Sequence, residues 1–175
     1  MSSAKLDTSA THAVQLVRAA LMFAAAVAPS VAHADSDTDS FEVTATVLAS
    51  CDVTADDLTF GDYDPIAAAD LDAETSVSVT CTNGTSYNVG MSVGGGSGAS
   101  MSERFMTKAG GSETLSYVLY QDDQRSVLWG DTGGDRLAGA GDGTPGSIPV
   151  YGRIPMQQAA PSGDYSDTII VTVSW

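Results

Sequence analysis

Thr75-Ser76-Val77-Ser78-Val79-Thr80-Cys81-Thr82 alternates between polar and apolar residues. A period of two places Val77, Val79 and Cys81 on one face and the serines and threonines on the other, the pattern of a β-strand with one buried face. The pattern recurs in both directions along the chain. Phe41-Glu42-Val43-Thr44-Ala45-Thr46-Val47 presents Phe41, Val43, Ala45 and Val47 on one side. Tyr87–Val93 aligns Tyr87, Val89, Met91 and Val93, and Leu115–Tyr120 aligns Leu115, Tyr117 and Leu119. Ile148–Ile154 is a further run, and Thr168–Trp175 aligns Ile169, Val171, Val173 and Trp175. Between these runs lie turn-forming stretches: Gly94-Gly95-Gly96-Ser97-Gly98, 108–112, 131–146 and Pro161-Ser162-Gly163. The Gly- and Asp-rich segment 130–146 is expected to be a mobile loop. No sustained helical period occurs after the first 34 residues. Short strands separated by Gly and Pro turns predict an all-β sandwich or barrel.

The N-terminus reads differently. Lys5 and Arg18 are the only bases before Arg104, and an apolar run from Ala19 to Ala28 follows Arg18. That run is shorter than the about 20 residues a membrane-spanning helix needs. The small-residue site Ala32-His33-Ala34 and an acidic stretch come next. Charged start, short apolar core and A-x-A site together predict a secretory signal peptide over 1–34. The remaining 35–175 suits one domain, with no stable membrane insertion expected.

Residues 35–175 hold 21 acids and five bases, a net charge of −16. So few cations exclude a phosphate-binding surface and hence nucleic acid, and anionic membranes repel such a chain. Cys51 and Cys81, the only cysteines, both follow the leader. In an exported chain an even pair is expected to form a disulfide.

The search for chemistry returns mostly exclusions. Both histidines, His12 and His33, fall within the leader. Without them there is no Ser-His or Cys-His nucleophile and no His-ligated zinc site. No catalytic residue, metal or cofactor is therefore predicted. The acidic cluster Asp56, Asp57, Asp62 and Asp64 and the Asp135–Asp142 stretch read as turn residues. A calcium site or a carboxylate-based glycosidase is the rival reading of the same residues.

Several phrases taken in order resemble the spore coat protein U domain. They are Cys51-Asp52-Val53 with Leu58-Thr59-Phe60-Gly61-Asp62-Tyr63-Asp64-Pro65; Val77–Cys81 with Tyr87-Asn88-Val89; and Leu115–Asp122 with Trp129-Gly130-Asp131. The ending, Val150-Tyr151-Gly152-Arg153-Ile154 through Gly163–Thr168 to Val171–Trp175, is the most specific. That family includes subunits of archaic, Csu-type chaperone–usher pili and a myxobacterial spore coat protein. The resemblance implies an immunoglobulin-like β-sandwich lacking its last strand and completed by donor-strand complementation. The implied partners are a periplasmic chaperone, an outer-membrane usher and further copies or related pilins joined head to tail. The implied location is a fimbrium on the cell surface, reached through the periplasm and serving adhesion or biofilm formation.

In that frame, residues 35–47 form an N-terminal extension with donor residues Phe41, Val43, Ala45 and Val47, and 48–175 form the domain. Ile169, Val171, Val173 and Trp175 form the strand at the groove edge, with no residue after it to supply a partner strand. Residues 41–47 are equally readable as the first strand of a complete domain. A secreted coat or matrix protein with a self-complemented sandwich is the alternative function.

Overall fold

The computed structural model describes residues 34–175, so the expected signal peptide lies outside the described residues. Every strand falls in the unit Thr44–Trp175. In chain order these are β1 (Cys51–Ala55), β2 (Leu71–Cys81), β3 (Ser86–Met91), β4 (Arg104–Lys108), β5 (Thr114–Tyr120), β6 (Leu137–Ala140), β7 (Gly146–Ile154), β8 (Tyr165–Ser166) and β9 (Val171–Ser174). A six-stranded sheet runs β1-β2-β7-β5-β4-β8 and a three-stranded sheet runs β6-β3-β9, all pairs antiparallel. The expected all-β class holds, and no helix among the described residues is long and apolar enough to cross a membrane.

The period-two faces account for the core. Val77, Val79 and Cys81 of β2 are almost fully buried. They pack in one cluster with Leu115, Tyr117 and Leu119 of β5, Val150 and Ile154 of β7, and Val89 and Met91 of β3. Removing each such side chain from water stabilises the fold by about 1.5–3 kcal/mol. Gly152 also faces this core, and a Cβ there would strike Leu58 and Phe60. The missing side chain lets the segment after β1 lie across the sheet.

One margin of the sandwich is closed by polar groups. Trp129 is fully buried and donates its indole N–H to the Val89 carbonyl at 3.0 Å. Arg104 is equally buried. Its guanidinium donates to the carbonyls of Trp129 at 2.6 Å, Ser92 at 2.9 Å, Met101 at 3.0 Å and Met91 at 3.4 Å. A buried charge is tolerable only when its donors are satisfied, and here they converge on carbonyls that no strand partner takes. Burial pulls the Arg104 pKa below its ordinary value, partly offset by the negative charge of Asp167 and Asp131.

Two expectations fail. Phe41–Val47 forms no strand: residues 34–50 carry no regular structure and are exposed. Its alternation therefore buries nothing within the described chain. The 130–146 segment is more than a loop. It contains a 3₁₀ turn at Gly133–Asp135 and β6, which pairs with β3 from Ser86↔Ala140 to Val89↔Leu137. With only Leu137 as a large apolar residue, β6 is held by backbone bonds and shows no hydrophobic period. The last run is shorter than the expected 168–175: only 171–174 pair with β3, while Tyr165–Ser166 upstream pair with β4. Residues 167–170 cross between the sheets.

Candidate functional site

β9 is the outermost strand of its sheet. Val171 lies opposite Met91, Thr172 opposite Gly90, Val173 opposite Val89 and Ser174 opposite Asn88. The Ser92 N–H donates to the Ile170 carbonyl at 2.9 Å. In an antiparallel pair hydrogen-bonded residues alternate with non-bonded ones. Ile170, Thr172 and Ser174 thus turn their backbone groups to β3. The N–H and C=O of Val171 and Val173 point the other way, where no strand among the described residues is hydrogen-bonded to β9.

Beside this edge a cavity of about 560 Å³ opens between the sheets. Val77, Tyr117, Leu119 and Val150 lie at its floor, Leu58 and Phe60 on one wall, and Ile169 and Val171 on the other. Phe60 meets Tyr117 edge to face with ring centroids 6.2 Å apart. The cavity does not reach past Ala55 and Val171. β1 and β9 approach within 8 Å between Cα atoms, so the groove narrows where these two strands face each other.

The tapered end carries the disulfide. Cys51 and Cys81 are directly opposite in the β1–β2 pair, bonded, with Cα atoms 4.1 Å apart. Thr82 N–H donates to the Ser50 carbonyl at 2.9 Å, which makes the cysteines the neighbouring non-bonded pair, where side chains come closer. The bridge spans 30 residues, worth roughly 3–4 kcal/mol in the chain-entropy account.

The wide end is organised by Asp167. Its carboxylate accepts the Tyr117 hydroxyl at 2.6 Å and the amides of Gly95 and Thr168 at 2.8 Å each. Gly94 sits at φ +87°, and a Cβ there would collide with this carboxylate. Glycine meets both demands, conformation and space. Burial, then the Asp167 carboxylate, push the Tyr117 pKa far above its usual value. The phenol stays neutral and the crossing segment 167–170 is pinned to the sheet.

The groove-edge residues named from sequence divide. Ile169 and Val171 line the cavity. Val173 packs on the core beyond it, and Trp175 is mostly exposed. The four donor residues Phe41, Val43, Ala45 and Val47 are exposed and outside any strand. Asp167 falls within the family phrase Gly163–Thr168, but its bond to Tyr117 is not legible in the sequence. The two lie 50 residues apart, and a lone aspartate in a turn-rich stretch carries no local signal. Leu58 and Phe60 were visible only as part of the family phrase.

Part of the carboxylate clusters is engaged by hydrogen bonds within the chain. Asp56 accepts the Ser76 hydroxyl, Asp64 the Ile66 amide, and Asp142 the amide and hydroxyl of Thr144. No group of three or more His, Cys, Asp or Glu among the described residues is arranged to hold a metal ion. On the outer sheet face Arg153 grips Asp72 with two hydrogen bonds of 2.7 and 2.9 Å, and Arg125 reaches the same carboxylate at 3.2 Å. Arg136 is turned onto the Asp131 carbonyl. These guanidiniums form no patch for phosphates.

Comparison with known proteins places this geometry. Protein U of Myxococcus xanthus is 35% identical over 178 residues, spanning 94% of this chain and 99% of that protein. A chain in the chaperone–tip adhesion subunit pre-assembly complex from archaic chaperone-usher Csu pili of Acinetobacter baumannii superposes with a TM-score of 0.58 at 22% identity. That match covers 74% of this chain and 41% of the other, and at such identity it establishes a shared fold. Residues 37–172 match the Spore Coat Protein U domain, and the chain belongs to that family.

Proposed function

We propose that this chain is a non-catalytic structural subunit of a surface pilus, polymerised by β-strand addition. The observation that carries the reading is the β9 edge, with its outward backbone groups standing beside a cavity that has an apolar floor. An exposed edge of this kind invites pairing with another strand unless it is covered. An added strand entering at the wide end would satisfy the groups of Val171 and drop alternate side chains into the cavity. Residues 41–47 have that alternation, and among the described residues 34–50 form no strand of their own. Domain 48–175 of one copy would thus receive Phe41, Val43, Ala45 and Val47 of the next. Such head-to-tail joining gives an open filament.

Before assembly a periplasmic chaperone would cover the same groove, and an outer-membrane usher would pass the subunits to the cell surface, where the fibre serves adhesion or biofilm formation. The chaperone–subunit complex with the shared fold supports this route. A second reading, a self-complemented coat or matrix protein, is favoured by the end-to-end match to Protein U and by the family's spore-coat description.

Deletion of 35–47 separates the two. Co-expressed with its chaperone, the full chain should give ladders that survive SDS without boiling. The deleted chain should stay folded and chaperone-bound yet give none. Normal ladders from the deleted chain would sink the pilus reading. A stable monomer from the full chain without any chaperone supports the coat protein.

A further inference from the structure

We infer that Thr82 is a latch that sets the direction in which the N-terminal segment leaves the domain, so that the segment enters the groove of a second copy and not its own. This rests on the strand-addition reading above. Ser50 and Leu48 immediately precede β1. The Thr82 hydroxyl accepts the Ser50 N–H at 3.1 Å and lies 3.3 Å from the carbonyl oxygens of both Leu48 and Ser50. The Thr82 N–H adds its bond to Ser50. The chain is thereby held in line with β1 up to Leu48, and Val47 and Leu48 point into solvent at 83% and 76% exposure.

Self-insertion requires the opposite course. β9 ends at Ser174 opposite Asn88, near the start of β3. β3 follows β2 through a short turn after Cys81. The end of β9 and the start of β1 therefore lie at the same, tapered end of the sandwich. To reach the cavity, residues 41–47 of the same chain would have to reverse within Leu48-Ala49-Ser50 and run back beside β9. The two-residue reversals that bring a chain back alongside its own course are types I′ and II′, which need a positive φ and draw on Gly, Asn or Asp. Leu48 and Ala49 are poor turn formers, Ser50 is engaged with Thr82, and none of the three has a positive φ. The reversal would also break the Thr82 bonds. A second copy's segment carries no such constraint, because it can enter the wide end from solvent.

The test compares the full chain with Thr82→Val, which keeps the branched shape and removes the hydroxyl. A second variant keeps Thr82 and inserts Gly-Asn-Gly-Gly after Ala49. Two readouts are taken: the ratio of monomer to SDS-resistant ladder, and amide hydrogen exchange over 41–47 in the monomer fraction. Loss of the hydroxyl's bonds should raise the monomer-to-ladder ratio about fivefold, the equivalent of one ordinary hydrogen bond of about 1 kcal/mol. The 41–47 amides of that monomer should become protected. The insertion should act in the same direction, and it decides the matter if the valine variant does not fold. Unchanged ladders with freely exchanging 41–47 amides in the folded variants would overturn the latch while leaving the pilus reading intact. Absence of ladders from the unaltered chain, with no binding of a synthetic 35–47 peptide to the groove, would overturn both.

Discussion

The two margins flanking β3 solve the same problem in opposite ways. On one side the backbone groups of Met91 are met from within the chain: its N–H bonds the Gly130 carbonyl at 3.0 Å and its C=O faces Arg104. On the other, across β9, the outward groups of Val171 and Val173 meet no strand among the described residues. Backbone polar groups are obligatory hydrogen-bonding groups, so the first margin is complete and the second is a site. The difference separates what stabilises the subunit from what is available to join it to a partner.

That contrast can be broken first at the closed margin. Replacing Arg104 by Met strips four carbonyls of their shared donor in a buried setting and should cost about 3–5 kcal/mol. Urea unfolding of the domain with a 35–47 peptide seated in its groove, compared between the two chains, reads this directly. A loss below about 1 kcal/mol would show that water takes over the carbonyls and that the margin is not closed by Arg104.

The open margin should respond more weakly, because its wall depends on one phenol. Tyr117→Phe removes the donor to Asp167, at an expected cost of about 1–2 kcal/mol at neutral pH. The sign of its pH dependence follows from the raised pKa. The neutral phenol contributes fully below its ordinary value of about 10, and the contribution is lost as pH rises beyond it, since ionisation is easier in the unfolded chain. The unaltered domain should therefore lose stability above that pH more steeply than the phenylalanine variant. Parallel alkaline unfolding profiles would remove Tyr117 as the support of the crossing segment.

Asp72, on the outer sheet face and away from both margins, sets the lower bound. The Arg153 hydrogen bonds, helped by the Arg125 and Arg153 charges, hold its carboxyl below the usual carboxylate range. Its contribution is present above the ordinary value near 3.9 and fades as pH falls through the lowered one. Its side chain is 37% exposed, so Asp72→Asn should cost less than about 1 kcal/mol at neutral pH. Assembly should be untouched. A ladder defect in this variant would place part of the joining surface on the outer face.

Five strands or strand segments were legible as period-two patterns, and their faces coincide with the core: Val77 and Val79, Val89 and Met91, Leu115 through Leu119, Val150 and Ile154, and Val171 with Val173. Of the four strands that were not legible in this way, three share a reason. β4 contains the buried Arg104, β6 is Leu-Ala-Gly-Ala, and β8 is two residues long. In each, backbone pairing or a polar contact holds the strand, and hydropathy does not record it. Phe41–Val47 shows the converse: a clear pattern with no surface in its own described chain to bury against.

The sequence by itself determined the all-β class, the strongly acidic charge and the only possible intramolecular cysteine pair. These depend on side-chain identity and spacing, which are written residue by residue. Only the tertiary structure decided which edge stays open, that an arginine closes the other margin, and that Asp167 meets Tyr117. Those outcomes depend on which backbone groups find partners. Every residue other than proline carries the same N–H and C=O, so no one-dimensional pattern says which of them will be left without a strand.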